Sequence, residues 1–369
     1  MDNLMQKFPH LPEQIFQKMN NESLFKSKHV ARSWKYLINE RNYPWLCIVN
    51  IPSILQERNT YLHLAAETGQ IDALKTALAQ EENRNIKNAY GETTFHHACN
   101  KGWLKIVELL MKKAAILSIN LNAKDNYGLT GFHLACKRGH ENVVKVLIQK
   151  AAILQIDLEA KEATYGYTGF LWACAGGHSD VVKIFMENAV IVDLNYKDNK
   201  GRTAFHWVCA WGDCKLAKIF MEFSAKFIFD LNAKNKENET GFHVACARGH
   251  FNLVNILIDN SASCRLDLNA KDNAGQTGFH LACKRGQFNV AKVFLENSAI
   301  SSILLNAKDN SCRTALSWAL KSGCIRTKDL ILNNADTLGT IHKPCPRGRQ
   351  GGLLGRSLLL APQDFWHHV

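Results

Sequence analysis

One heptapeptide recurs along this chain and limits the folds that it can adopt. Residues 130–136 and 277–283 both read TGFHLAC, and residues 240–246 differ at one position, TGFHVAC. Five weaker copies in the same frame bring the number of units to eight. A fixed period in this range predicts a solenoid, in which each unit buries its apolar side only against its neighbours. The leading threonines, 33 to 38 residues apart, are Thr60, Thr93, Thr130, Thr168, Thr203, Thr240, Thr277 and Thr314.

Each unit shows the same order of local signals. A turn-forming segment such as LNAKDN (121–126) comes first, followed by the threonine, which is typical of a helix N-cap. A glycine nine residues after the threonine is typical of a helix end. An apolar-periodic stretch such as 141–151 then indicates a second helix. The sequence therefore predicts an all-α solenoid of helix-turn-helix units joined by hairpin-like connectors.

Five units also place a glycine two residues before the threonine. This position indicates a backbone with positive φ, which glycine adopts without steric strain. Asn238 takes the place in one unit and tolerates that conformation, whereas Cys312 takes it in the last unit. We therefore expect a looser turn at Cys312.

This pattern resembles the ankyrin repeat over residues 59–335. Most units match the Thr, the hydrophobe, the His and the Ala of the Thr-Pro-Leu-His-x-Ala signature. The chain departs from the family where Gly131 and its counterparts replace the proline, and in units about four residues longer than usual. We expect that surplus to lengthen the second helix or the following bend. The resemblance implies protein binding through the connector tips and first helices, on a concave face, and no catalysis.

Histidine and cysteine each recur at one position of most units, and these two columns of residues could be mistaken for metal-binding or catalytic sites. Helices in contact lie about 10 Å apart, so side chains one unit apart cannot converge on one metal ion. We therefore expect each histidine to hydrogen-bond near its helix start and link neighbouring units, and each cysteine to pack in the core. The histidines are His63, His96, His133, His206, His243 and His280. The cysteines are Cys99, Cys136, Cys174, Cys209, Cys246 and Cys283. We expect no metal and no cofactor.

A third column is basic and varies in kind from unit to unit. It lies at the end of each first helix, which the ankyrin resemblance places toward the concave face. Arg and Trp are frequent at interface hot spots, so we expect a groove for an acidic segment of a partner, against the alternative of solvated helix ends. The predicted contacts are Lys101, Lys137, Arg138, Trp211, Arg248, Lys284 and Arg285.

The charge, the apolar stretches and the cysteine content limit the binding partners and the cellular location that we expect. The formal net charge of +12 is spread along the chain, and no Lys/Arg-rich block occurs, so nucleic-acid binding is not expected. No stretch of 18 apolar residues indicates a membrane span. Twelve cysteines without a secretory leader predict reduced thiols in the cytoplasm or nucleus. We expect a monomer.

Residues 1–50 do not repeat and resemble an F-box. The family pattern of Leu-Pro, Ser-Leu, Val and a Trp four residues later is matched, although the segment is about one helical turn short between Met19 and Asn21. F-boxes dock on the adaptor subunit of cullin–RING ubiquitin ligases. The predicted adaptor contacts are Leu11, Pro12, Ile15, Leu24, Val30 and Trp34. The alternative is a helical cap on the first repeat.

Residues 336–369 break the repeat and are rich in Gly, Pro and Arg, which predicts a disordered tail. The whole chain then fits two functions. The first is an adaptor that brings a target protein to a ubiquitin ligase, and the second is a scaffold or anchoring protein with no link to ubiquitin. No motif for a catalytic or nucleotide site is present, so we do not expect an enzyme.

Overall fold

The structure is a computed structural model in which the described residues form helices joined by turns. The described ranges are 59–80, 83–188, 192–224, 229–297 and 303–334. No β-strand occurs within them, so the predicted all-α class is confirmed. The F-box-like segment predicted over 1–50 and the tail predicted over 336–369 both lie outside these ranges.

Each unit contributes a first and a second helix. In chain order the pairs are α1 (Tyr61–Glu67) and α2 (Ile71–Gln80), α3 (Thr94–Lys101) and α4 (Leu104–Leu117), α5 (Gly131–Arg138) and α6 (Glu141–Leu154), α7 (Gly169–Ala175) and α8 (Ser179–Glu187), α9 (Ala204–Trp211) and α10 (Cys214–Ser224), α11 (Gly241–Arg248) and α12 (Phe251–Asp259) with the short α13 (Ser261–Cys264), α14 (Gly278–Lys284) and α15 (Phe288–Asn297), and α16 (Ala315–Ser322) and α17 (Ile325–Asn333). First helices pack side by side from unit to unit, and second helices form another row from α4 to α17.

The threonine and histidine of the motif start each first helix together, as unit 3 illustrates. Thr130 is the N-cap with extended backbone, and its backbone N–H and hydroxyl both lie against His133 Nδ1, at 3.1 Å and 2.9 Å. Because a backbone N–H can only donate, Nδ1 accepts and the ring proton sits on Nε2. Nε2 then donates to the carbonyls of Ala160 (2.8 Å) and Tyr167 (3.1 Å) in the next connector. The predicted structural role of the histidines is therefore confirmed.

The same imidazole bridge occurs in the other units that carry the histidine. Nε2 contacts a backbone oxygen of the following connector from His63 (Glu92, 2.9 Å), His96 (Leu129, 3.0 Å), His206 (Glu239, 3.0 Å), His243 (Gln276, 3.1 Å) and His280 (Arg313, 3.1 Å). Burial lowers the pKa of His96, His133 and His206 to about 4. The folded stack therefore holds these rings in the neutral form that the bridge requires.

The glycine that replaces the usual proline has a packing reason. A Cβ on Gly131 would lie 2.7 Å from Phe95 Cδ1 and 3.1 Å from Cys99 Sγ of the preceding unit. A Cβ on Gly169 would come equally close to a Phe and a Cys of its own preceding unit. The loss of helix propensity at this position is therefore offset by the close approach of neighbouring first helices.

The cysteine column packs in the core, as predicted. Its six sulfurs are buried and free, and burial raises the pKa of each thiol. A thiol in such an apolar site is unreactive because the thiolate is disfavoured.

The last connector turn has the same backbone geometry and hydrogen bonds as the turn of unit 3. In unit 3, Asp125 Oδ1 accepts from the backbone N–H groups of Tyr127 and Leu129, both at 2.8 Å, and Gly128 has φ +78°. Cys312 has φ +57° and donates its N–H to the Asp309 carbonyl at 2.9 Å. The expectation of a looser final turn is therefore wrong, because the turn hydrogen bonds hold even a non-glycine residue in the left-handed region.

The surplus residues lengthen the second helix, as expected, in units 2 and 3. Helices α4 and α6 each have 14 residues and end at Ser118 and Gln155 in left-handed conformation. The segment that follows is held by asparagines. Asn122 Nδ2 donates to the Gln155 carbonyl at 2.7 Å, and its Oδ1 accepts from the Asp157 N–H at 2.9 Å. The Asn122 side chain thus links the bend after α4 to the bend after α6.

We expect the stack to lose stability as the pH falls below the ordinary histidine pKa of 6.5. The unfolded chain binds protons near that value, whereas folded His96, His133 and His206 bind them only near pH 4. Protons therefore favour unfolding throughout that interval, by on the order of 1 kcal/mol per histidine one pH unit below 6.5.

Urea unfolding at about pH 7.5 and about pH 5.5, above the range in which carboxylates titrate, measures this effect. The midpoint should fall with the lower pH, and unfolding there should take up protons. A midpoint that does not change between the two pH values would contradict the prediction.

Candidate functional site: the first-helix face

The predicted contact residues lie at equivalent places in successive units. Lys101, Arg138, Trp211 and Arg248 are the last residues of their first helices, and Arg285 caps the end of α14. Lys137 and Lys284 each lie one residue earlier. We call the surface formed by the connector tips and the ends of the first helices the first-helix face. A cation at a helix C-terminus is also favoured by the helix dipole.

Three of these basic side chains reach back to the preceding unit. Lys101 Nζ lies 3.2 Å from Glu67 Oε1. Arg138 Nε donates to Asn100 Oδ1 at 2.9 Å, and Arg248 Nη1 donates to the Ala210 carbonyl at 3.1 Å. Their guanidinium and ammonium groups are thereby oriented along the stack, with donors left over for a partner.

The two lysines of the column stack on tryptophans of the next unit. Lys137 Nζ lies 4.8 Å from the centre of the Trp172 ring, and Lys284 Nζ lies 4.7 Å from that of Trp318. Burial lowers the pKa of both lysines. Cation–π contact of this kind holds a positive charge over an apolar surface.

The first-helix face carries positive charge that lacks close counter-ions. Among the described residues, no carboxylate oxygen lies within 4.0 Å of Lys137, Arg138, Arg248, Lys284 or Arg285. Burial, and then the charges of Arg202 and Arg285, lower the pKa of Arg248. Like charges held together in this way make the face attractive to an acidic ligand.

An aromatic cluster in the middle of the face was not anticipated from the sequence. The Tyr167 ring lies edge-on to Trp172 (5.2 Å between centroids) and to Trp207 (5.4 Å). Arg202 lies over Trp207 at 4.2 Å and donates to the Tyr167 hydroxyl at 3.0 Å. The sequence did carry a signal for this cluster. The residue that follows the motif histidine, or that follows the residue replacing that histidine, is Trp in units 4, 5 and 8.

Comparison with known proteins agrees with this geometry. The family model for ankyrin repeats (3 copies) matches residues 62–161, 152–235, 222–301 and 242–339, well over half of the chain. The chain belongs to the ankyrin-repeat family.

A solved structure shares the ankyrin fold. The crystal structure of the ankyrin repeat domain of Bcl-3, described as a unique member of the IkappaB protein family, superposes with a TM-score of 0.54 at 22% sequence identity. The match covers 64% of this chain and 98% of that one. No curated protein sequence matches this chain.

The remaining predictions concern the adaptor contacts, metal binding and membrane spans. The F-box-like adaptor contacts lie outside the residues that the structure describes; they are Leu11, Pro12, Ile15, Leu24, Val30 and Trp34. Within the described part of this ankyrin array, no group of three or more His, Cys, Asp or Glu side chains could hold a metal ion. No described helix is long and apolar enough to cross a membrane.

Arg202→Ala should lower the free energy of unfolding by about 2 kcal/mol. The change removes the 2.8 Å ion pair to the buried Asp198, the bond to Tyr167 and the stacking on Trp207. Arg313→Ala is the matched control, because Arg313 pairs with Asp309 at 3.2 Å and stacks on Trp318 at 4.0 Å but is more exposed.

Chemical denaturation of both variants measures the difference. The control should lose about half as much, since Arg313 is more exposed and the buried Asp309 keeps its hydrogen bond from Trp318 Nε1, at 3.0 Å, when the arginine is removed. Equal losses in the two variants would show that the aromatic cluster adds nothing at Arg202.

Proposed function

We propose that this ankyrin-repeat protein is a protein-binding module whose first-helix face takes an acidic segment of its partner. The observation that carries the proposal is the row of Lys137, Arg138, Arg248, Lys284 and Arg285, which have no close carboxylate among the described residues. A partner carboxylate would relieve this repulsion and gain charge-assisted hydrogen bonds. Trp211, 40% exposed at the same helix position, adds an apolar contact of the kind found in hot spots.

The proposal extends to what the module does with its partner. The F-box-like resemblance of residues 1–50, followed by a recognition array, supports a substrate-recognition adaptor of a cullin–RING ubiquitin ligase. In that arrangement the repeats select the target and the N-terminal segment binds the ligase adaptor subunit. The alternative is a scaffold or anchoring protein, in which the N-terminal segment serves only as a cap on the first repeat.

Membership of the ankyrin-repeat family favours binding over catalysis, so we propose a protein without enzymatic activity or cofactor. The cysteine content supports a cytoplasmic or nuclear location. We propose that the protein acts as a monomer and binds neither membrane nor nucleic acid.

Changing Arg138, Arg248 and Arg285 together to Glu should abolish partner capture, because each substitution repels the acidic segment. Proximity labelling in cells with the wild-type protein and with this variant measures the effect. A matched control changes Lys145, Lys183 and Lys292, exposed lysines of the second helices, to Glu and so alters the net charge equally. The labelled proteins lost only in the first variant should be enriched in acidic segments. If both variants label the same proteins, the first-helix face is not the binding surface.

The ligase role is tested separately with the full chain and the purified ligase adaptor subunit. Direct binding should be measurable by calorimetry and should be lost when Leu11, Pro12 and Trp34 are changed to Ala, since these are the F-box-like contacts. The Arg138, Arg248 and Arg285 variant is the control and should bind the adaptor subunit normally. If the wild-type chain does not bind, the scaffold alternative stands.

A further inference from the structure

Unit 4 interrupts the row of long basic side chains on the first-helix face. Ala175 and Gly176 stand where Lys137 and Arg138 stand one unit earlier. Gly176 is exposed and Ala175 is half-buried. The face therefore presents backbone and a methyl group to the solvent at this point, between two stretches that carry charged side chains.

Aromatic rings border this gap, and cations lie over two of them: Lys137 over Trp172 and Arg202 over Trp207. Trp172 precedes Ala175 by three residues and Gly176 by four, so all three share one face of the helix end. Helix α9 packs against α7 and repeats the pattern with Trp207, Ala210 and Trp211. Ala210 is buried, whereas Trp211 is 40% exposed. We call this stretch of Ala175, Gly176 and Ala210, bordered by Trp211, the central hollow.

Basic residues flank the central hollow on both sides. Lys137 and Arg138 lie one unit before it, and Arg248 and Arg285 lie two and three units after unit 4. Arg248 also reaches toward the hollow, since its Nη1 donates to the Ala210 carbonyl at 3.1 Å. Neighbouring helices lie about 10 Å apart. Because the hollow spans units 4 and 5, the nearest basic helix ends belong to units 3 and 6, one helix spacing or about 10 Å from the hollow on each side.

We propose that the partner's acidic segment binds extended across the central hollow and carries a single bulky apolar side chain, preferably aromatic, that fills it. An extended chain advances about 3.3 Å per residue. The carboxylates should therefore lie about three residues from the anchor on each side. This inference rests on the proposed function and adds the anchor and the spacing to it.

The anchor and the charges have different effects on binding. Charge complementarity accelerates the encounter and orients the segment, and it tolerates displacement along the row. An aromatic side chain seated over Ala175 and Gly176 against Trp211, which is 40% exposed, is desolvated and can adopt edge-on geometry. The hollow thereby fixes the register of the segment, which the repeating charges alone do not.

Fluorescence anisotropy with the full chain and synthetic peptides tests the proposal. The probe is a peptide of about nine residues with the proposed spacing, Glu pairs at both ends, a Trp anchor and a Gly/Ser background, made in both chain directions. Its controls replace the Trp by Ser or the Glu residues by Gln. The Trp peptide should bind about tenfold more tightly than the Ser peptide in at least one direction.

The decisive variant is Ala175→Lys, which fills the hollow with the residue type that Lys137 and Lys284 have at the equivalent position. It should bind the Trp and Ser peptides with equal affinity. Gly176 is not suitable for this purpose, because a Cβ there would lie 2.5 Å from His178 Nε2. Trp211→Ser is the second variant and should also reduce the advantage of the Trp peptide, should Ala175→Lys fail to fold.

The outcomes separate the inference from the proposed function. If wild-type protein binds the Trp and Ser peptides equally, and both more tightly than the Gln peptide, the acidic-partner function stands and the anchor is wrong. If none of the peptides binds, both are overturned. If the Trp advantage persists in Ala175→Lys and in Trp211→Ser, the aromatic side chain binds elsewhere and the hollow is overturned.

Discussion

The fold depends on one repeated contact, the imidazole that caps its own helix and reaches the next connector. In unit 3, His133 accepts from Thr130 through Nδ1 and donates to the Ala160 carbonyl through Nε2. One neutral ring thus satisfies the buried start of one unit and a buried carbonyl of the next. Because an isolated unit cannot complete this contact, helix capping and stacking between units become one event.

Most of the framework follows from the sequence because its signals are local. The threonine caps, the glycine ends of the helices and the positive φ of Gly128 each depend on residues close in the chain. The looser turn expected at Cys312 failed because connector hydrogen bonds impose the conformation whatever the residue. The glycine after each capping threonine could be noted as a departure, but its reason, the approach of Phe95 and Cys99 toward Gly131, needs the neighbouring unit.

The candidate site was only partly predictable for the same reason. The period places Arg138 and Arg248 at equivalent helix ends, and the structure places them there. Their bonds to Asn100 and to the Ala210 carbonyl join residues 38 positions apart, and no local pattern encodes them. The aromatic cluster was missed because Tyr167 belongs to a connector and Trp207 to a helix of the next unit.

The face also shows how a regular array acquires specificity. The framework columns of histidine and cysteine scarcely vary, whereas the helix-end column changes from lysine and arginine to alanine, glycine and tryptophan. Since the framework does not depend on the helix-end residues, they can vary without unfolding the stack. A charged row of this kind would accept many acidic chains, and the short side chains of unit 4 are the feature that distinguishes among them.

Leu171 takes the place of the bridging histidine in unit 4, and a leucine side chain has no hydrogen-bond donor. The junction between units 4 and 5 is instead joined by the Arg202 bond to the Tyr167 hydroxyl and by the ring contact of Tyr167 with Trp207. In a one-dimensional array, cooperativity is transmitted only through nearest-neighbour coupling. Coupling across this junction therefore rests on guanidinium and aromatic contacts in place of the imidazole bridge, so its hydrogen exchange can respond to Arg202 where the other junctions respond to histidine protonation.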